Sequence, residues 1–344
     1  MEVQPAVITE KLSEKELCPE QLLGGQEAAF ARDIERLKAR RAEFVAVRCP
    51  GCDSPSASPT LVKFTFQYVT CNDCQTLYMS PRPSEAVMAD YYRDSENYRY
   101  WAKHIFPSSE TSRREKIHRP WLERVIGFCD RFGISKGVLM EVGPGFGTFS
   151  ALATESGRFS RVVAVECTPE LADACRARGV EVVEKRIEEV GEEVPGADVV
   201  VSFECLEHLF APRAFLESCA RRLRAGALLV LSCPNGQGFD VAVLGAESLA
   251  IDAQHVNLFN PSSLSRLVEA CGFEVLEVST PGRLDAEFVH DAIREGRFEV
   301  SENPFLKRVL VDEWERLGWP FQQFLAENGL SSHMWMAARR RGGG

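Results

Sequence analysis

Three patterns in the chain bring together side chains that could do chemistry. The first is Cys49, Cys52, Cys71 and Cys74, spaced C-x2-C-x18-C-x2-C. Two thiol pairs, each on a tight turn, can close a tetrahedral zinc site, and four protein ligands leave no position open for a substrate, so the expected ion is structural. The second is Glu204, Glu207 and His208, at i, i+3 and i+4. On a helix these would leave from one face. Imidazole takes a proton near neutral pH, which makes His208, and His255 in the later run Gln-His-Val-Asn-Leu-Phe, candidate general bases beside Glu207. The third is a turn, Glu141-Val142-Gly143-Pro144-Gly145-Phe146-Gly147, in which an apolar run ends in an acid and passes through three glycines toward a helix near Thr148. Glycines permit a tight turn and close approach of a ligand to the backbone. A dinucleotide loop, G-x-G-x-x-G, needs glycine where this chain has Thr148.

The elements that must position these residues follow from periodicity. From about residue 137, short apolar runs at 138–142, 162–166, 180–183, 198–203, 228–232 and 273–278 alternate with helical stretches. That alternation predicts an α/β fold built from βαβ units, a doubly wound parallel sheet with helices on both faces. Upstream, Phe30, Ile34, Leu37 and Phe44 recur at helical spacing within a charged stretch at 27–43. Between the cysteine pairs lie short β-prone runs, Leu61–Phe66 and Tyr68–Thr70, and Pro81 and Pro83 end that module. The expected division is an N-terminal helical segment at 1–46, a small four-cysteine zinc ribbon at 47–83, a helical cap at 84–136, and the α/β domain at 137–340 with a helical insertion at about 281–330. A ribbon this small is expected to lack a core of its own and to draw folding energy from its metal. His333–Ala338 reads as a final strand.

The 344 residues, 45% hydrophobic, are enough to bury a substantial core. A formal charge of −10 argues against nucleic acid as a partner. There is no basic N-terminal flank followed by an apolar run, and no stretch of roughly 18 apolar residues, so the expectation is a cytoplasmic protein with no membrane partner. Of the twelve cysteines, the eight outside the quartet read as reduced and buried. The isolated His104, His118, His290 and His333 read as structural.

The form E-x-G-x-G-x-G resembles motif I of the class I S-adenosylmethionine-dependent methyltransferases. The resemblance implies their Rossmann-like sheet, with Glu141, Gly143, Gly145 and Gly147 receiving the amino-acid end of the cofactor, whose sulfonium suits carboxylates. Glu166, 19 residues after Gly147 at the next strand end, is implied to hold the ribose hydroxyls. Ile187 is implied to contact adenine. The run D-V-V-V-S-F-E-C-L-E-H-L at 198–209 is similar to the fourth-strand motif, which places Phe203 and Glu204 beside the cofactor. L-R-A-G-A-L-L-V at 223–230 is similar to the family's turn into strand five.

The run E-x-x-E-H also resembles the segment with which ubiquinone-pathway O-methyltransferases and plant small-RNA 2′-O-methyltransferases bind a divalent ion, together with a later histidine. By that resemblance Glu204, Glu207, His208 and His255 would hold Mg2+ or another divalent ion that gathers a substrate hydroxyl and lowers its pKa. Residues 71–92 resemble the zinc-ribbon leader of bacterial sugar, polysaccharide and secondary-metabolite methyltransferases. The acceptor then implied is a small molecule, such as a sugar, nucleotide-sugar or secondary metabolite, methylated on oxygen or, as the less favoured alternative, on nitrogen. Tyr98, Trp101, His104 and Arg283 are the candidate substrate contacts. Two other readings compete: an rRNA or tRNA methyltransferase whose zinc module presents RNA, and a non-catalytic cofactor-binding module. The identity of the acceptor and the oligomeric state have no signature in these residues.

Overall fold

The computed structural model describes residues 3–342 except 193 and 195. In chain order the strands are β1 (Phe44–Val45), β2 (Ala57–Lys63), β3 (Phe66–Cys71), β4 (Leu77–Met79), β5 (Arg82–Pro83), β6 (Val138–Val142), β7 (Arg161–Val165), β8 (Glu181–Val183), β9 (Ala197–Phe203), β10 (Leu223–Pro234), β11 (Asn257–Leu258), β12 (Phe273–Ser279) and β13 (His333–Arg340).

Seven of them form one sheet in the order β12-β13-β10-β9-β6-β7-β8. Pairing is parallel among β10, β9, β6, β7 and β8. Valine-rich β9 is buried at every position, as a central parallel strand covered on both faces must be. Alternate residues of β10 feed two cores: Leu229 and Leu231 pack with Phe215, Leu264 and Phe273, while Leu228 and Val230 pack with Phe128, Phe149 and Trp335. The final strand departs from the purely parallel expectation. β13 inserts antiparallel between β10 and β12, because the helices at Asp285–Arg294 and Trp314–Glu327 return the chain to the same end of the sheet that β12 left.

β2, β3 and β4 form an antiparallel ribbon, and β1 pairs with β5 across its base. The ribbon sheet has a fourth strand, β11, contributed by the α/β part of the chain. A shared apolar cluster follows, joining Phe66, Tyr68, Leu77 and Met79 of the ribbon to Ile34 and Leu37 of the N-terminal helix and to Val256 and Leu258. This agrees with the expectation that the ribbon lacks a core of its own: the core it uses is assembled from three parts of the chain. The N-terminal helix runs Glu20–Ala39, longer at its start than the charged stretch suggested, and Phe44 belongs to β1. Among the described residues, no helix is long and apolar enough to cross a membrane.

Candidate active site

The parallel strands end at one edge of the sheet, and the chemistry-bearing residues collect there. After β6 the chain turns through Gly143, Gly145 and Gly147, all in the left-handed region, into the helix Thr148–Glu155. At Gly147, with φ 74°, a Cβ would lie 2.7 Å from the Cys175 Sγ and 3.1 Å from its Cα. Packing of the following helix, Pro169–Ala177, thus requires glycine there. At Gly145 a Cβ would meet nothing within 4 Å, so that side of the loop faces open space.

Glu141 is buried at the end of β6 and accepts a hydrogen bond from the Ser150 hydroxyl. Burial lifts its pKa to about 7; Ser150 opposes that shift, and the nearby Glu166 carboxylate adds to it. Glu166, just past β7, accepts from the Thr168 amide at 2.8 Å, and burial raises its pKa too. Two carboxylates destabilised by burial beside an open glycine turn form a setting that a cation would relieve. Ile187 opens a short turn after β8, and its side chain packs in the core against this strand layer. The ring of Phe203 is turned into an aromatic cluster, 4.8 Å from Trp121, 4.9 Å from Phe149 and 5.1 Å from Trp335.

The segment after β9 is not the helix that the i, i+3, i+4 spacing suggested. Glu204 has φ 48°, and Leu206–His208 form a single tight turn. The one-face expectation fails because the chain reverses at Glu204 before the turn begins. Glu204 keeps part of its side chain exposed and bonds elsewhere: it accepts from Ser232 Oγ at 2.6 Å and contacts His333 Nε2 at 3.0 Å. Desolvation by the surrounding protein pushes its pKa up, but His333 and Ser232 outweigh that and hold it below the usual carboxylate value.

Glu207, His208 and His255 do converge, with one potential ligand atom from each inside a 4.8 Å group. Glu207 is 1% exposed, and among the described residues neither carboxylate oxygen has a hydrogen-bond partner. Burial and the Glu204 charge raise its pKa well above the ordinary value. The His208 and His255 rings lie 4.8 Å apart. His255 Nδ1 is 2.8 Å from the Ala250 carbonyl, so with the proton on Nδ1 its Nε2 presents a lone pair. Burial, with His255 adding, depresses the His208 pKa to about 3 and keeps that imidazole neutral. Two imidazoles and an unpartnered buried carboxylate form a donor set that suits a divalent ion. Glu204 stands outside the trio.

Of the four candidate substrate contacts, only Tyr98 is tied to this edge. Its phenol is pushed up by burial and by Asp252, Cys205, Glu207 and Glu166. Trp101 packs 5.7 Å from Phe106 and under the Arg113 guanidinium, and His104 packs 4.7 Å from Tyr100. Arg283 donates to the Lys116 carbonyl at 2.6 Å, which makes it a brace between chain segments.

Two residues that the sequence did not single out for the site stand in it. His333, read as structural, pairs with Glu204 and stacks on Trp121 at 6.1 Å. Tyr92 sits edge-on to His208 at 6.1 Å with its buried hydroxyl unpartnered among the described residues. Both come from segments more than a hundred residues from their partners, and no local spacing flags them.

In the ribbon, the four cysteine ligand atoms also lie within 4.8 Å of one another, with Cys49–Cys74 and Cys52–Cys71 sulfur pairs each at 3.5 Å. Tetrahedral zinc with bonds near 2.3 Å needs sulfurs about 3.8 Å apart, so the cluster fits that ion with little adjustment.

A family model described as a methyltransferase domain matches residues 113–278. A ubiquinone biosynthesis O-methyltransferase of Xanthomonas oryzae pv. oryzae is 33% identical over 129 residues, covering 35% of this chain and 53% of that protein. The protein of the same description from Xylella fastidiosa is 26% identical over 211 residues, covering 56% of this chain and 85% of its own. A probable S-adenosylmethionine-dependent methyltransferase of Mycolicibacterium smegmatis is 29% identical over 139 residues, 40% of this chain and 52% of that protein. The chain spans about half the length of the first of these relatives.

Proposed function

We propose that this chain, a member of the class I S-adenosylmethionine-dependent methyltransferases through residues 113–278, transfers a methyl group to an oxygen of a small molecule. The observation that carries the reading is Glu207, whose two buried oxygens have no hydrogen-bond partner among the described residues, set against His208 and His255 at the strand edge where the glycine turn opens. The likeness to two ubiquinone biosynthesis O-methyltransferases favours oxygen as the acceptor atom.

Glu141 and Glu166 would face the cationic cofactor, and the turn at Gly143–Gly147 would admit its backbone-hugging end. Glu207, His208 and His255 would hold a divalent ion, which supplies Lewis acidity to the acceptor hydroxyl. The acceptor oxygen forms a bond to the methyl carbon as the carbon–sulfur bond breaks, and the sulfur leaves with the bonding pair. The hydroxyl proton passes to water or, where no ion occupies the trio, to the Nε2 lone pair of His255; His208, whose pKa burial depresses to about 3, is too weak a base to keep it. Most of the rate would come from holding nucleophile, carbon and sulfur in line. Glu204, joined to His333, borders the acceptor side. A sugar, nucleotide-sugar or secondary metabolite is the acceptor class suggested by the ribbon leader, and the cysteine quartet would hold a structural zinc.

The test is calorimetric binding of S-adenosylmethionine and S-adenosylhomocysteine, followed by Mn2+ titration of wild type and of Glu207→Gln. Cofactor binding in both proteins, with Mn2+ binding lost in the variant, is expected. No cofactor binding in wild type would end the methyltransferase reading. Mn2+ binding that ignores Glu207 would leave only the histidine-base form.

A further inference from the structure

Arg82 ends the ribbon, and it is 4% exposed although no carboxylate among the described residues pairs with it. A guanidinium is costly to bury, and it stays charged. Its fork makes two long-range bonds: Nη1 donates to Asn257 Oδ1 at 2.7 Å, and Nη2 donates to the Phe210 carbonyl at 2.5 Å. Asn257, wholly buried, passes the connection on. Its Nδ2 donates to the Leu206 carbonyl at 3.1 Å and to the Leu209 carbonyl at 2.7 Å. Between them, the two side chains hold three of the carbonyls in and beside the turn that bears Glu207 and His208.

The other half of the trio is anchored to the ribbon as well. Two residues after His255, Asn257 pairs with Tyr78 in the ribbon sheet, and the Met79 amide donates to the Val256 carbonyl at 3.1 Å. Asn260 Nδ2 donates to the carbonyl of Cys74, inside the cysteine cluster, at 3.0 Å. The ribbon is thus the common frame against which residues 206–210 and 255–260 are both set.

We infer that the four-cysteine ribbon is the mount of the acceptor site, and that Arg82 and Asn257 are positioning residues that set Glu207, His208 and His255 relative to one another. Its functional part rests on the reading of that trio as the acceptor site; the bracing itself rests on the contacts alone. A ribbon with this role has its inner face and its exit strand committed to the α/β part, which accounts for an arginine buried without a counter-charge.

The experiment compares full-length wild type, Arg82→Gln and Asn257→Asp. The second variant keeps an acceptor for Arg82 and supplies it a counter-charge, but loses the donor to Leu206 and Leu209. Hydrogen–deuterium exchange of the 204–211 segment is measured beside that of 141–150, with zinc content and S-adenosylhomocysteine affinity as controls. Both variants are expected to lose protection at 204–211 by about tenfold while 141–150, zinc content and cofactor affinity hold within about twofold, because the lost bonds span only the one turn. Mn2+ affinity is expected to fall by at least about tenfold. Unchanged protection at 204–211 in Asn257→Asp overturns the inference, as does a uniform loss of protection across the chain in both variants. If wild type binds no Mn2+, the acceptor-site reading fails while the exchange data still decide the brace.

Discussion

Glu141→Gln removes a charge that the fold holds at a cost, and the size of that cost can be worked out. The carboxyl titrates near 4.5 when exposed and near 7 in the folded protein, principally because it is buried. At about 1.4 kcal/mol per pKa unit, the difference is worth about 3 kcal/mol. The folded pKa is the higher one, so the favourable contribution is complete below pH 4.5 and is lost as pH rises toward 7. Above pH 7 the folded protein carries the whole penalty. Glutamine keeps an oxygen for the Ser150 hydroxyl and does not titrate. The variant should therefore match wild type in thermal stability near pH 4.5 and exceed it at pH 8 by about 3 kcal/mol, or about 4 °C for a chain of this size. Cofactor binding should move the opposite way. A cationic ligand restores the value of the ionised carboxylate, so wild-type affinity should climb through about pH 6 to 8 and that of the variant should stay flat and weak. Thermal melts and calorimetry across this range check both. Parallel stability curves for the two proteins from about pH 5 to 8 would refute the reasoning.

Gly147→Ala should destabilise by about 2 to 3 kcal/mol and abolish cofactor binding, because φ is 74° and the new Cβ would press on Cys175; a melt within about 1 °C of wild type would contradict this. Elemental analysis should find one tightly held zinc per chain in wild type and almost none in Cys52→Ser, whose melt should also be lower. Because the ribbon shares its core with Val256 and Leu258, chelation should loosen more of the protein than the ribbon, which limited proteolysis can follow. His333→Ala should free Glu204 to titrate nearer its ordinary value and leave S-adenosylhomocysteine affinity within about twofold, since His333 pairs with Glu204 and packs against Trp121 and Trp335 rather than against Glu141 or Glu166.

What the sequence determined by itself was local. The turn Glu141–Gly147 announced its conformation because positive φ demands glycine, and β6, β7 and β9 announced themselves because strands buried on both faces need unbroken apolar runs. The cysteine spacing was legible for the same reason, since a metal site on two tight turns has a short, fixed span. Tertiary structure decided everything that depended on residues far apart in the chain. The condition for a shared face at residues 204–208, a helical backbone, is not met, because β9 is followed by a left-handed residue, Glu204, held by Ser232 and His333. That reversal split Glu204 from Glu207 and His208. The ribbon's own sequence could not disclose that its fourth strand lies at Asn257–Leu258, or that Arg82 reaches the turn bearing Glu207. Strand pairing and long-range hydrogen bonds carry no period in the sequence, so only the folded chain reveals which residues share the site.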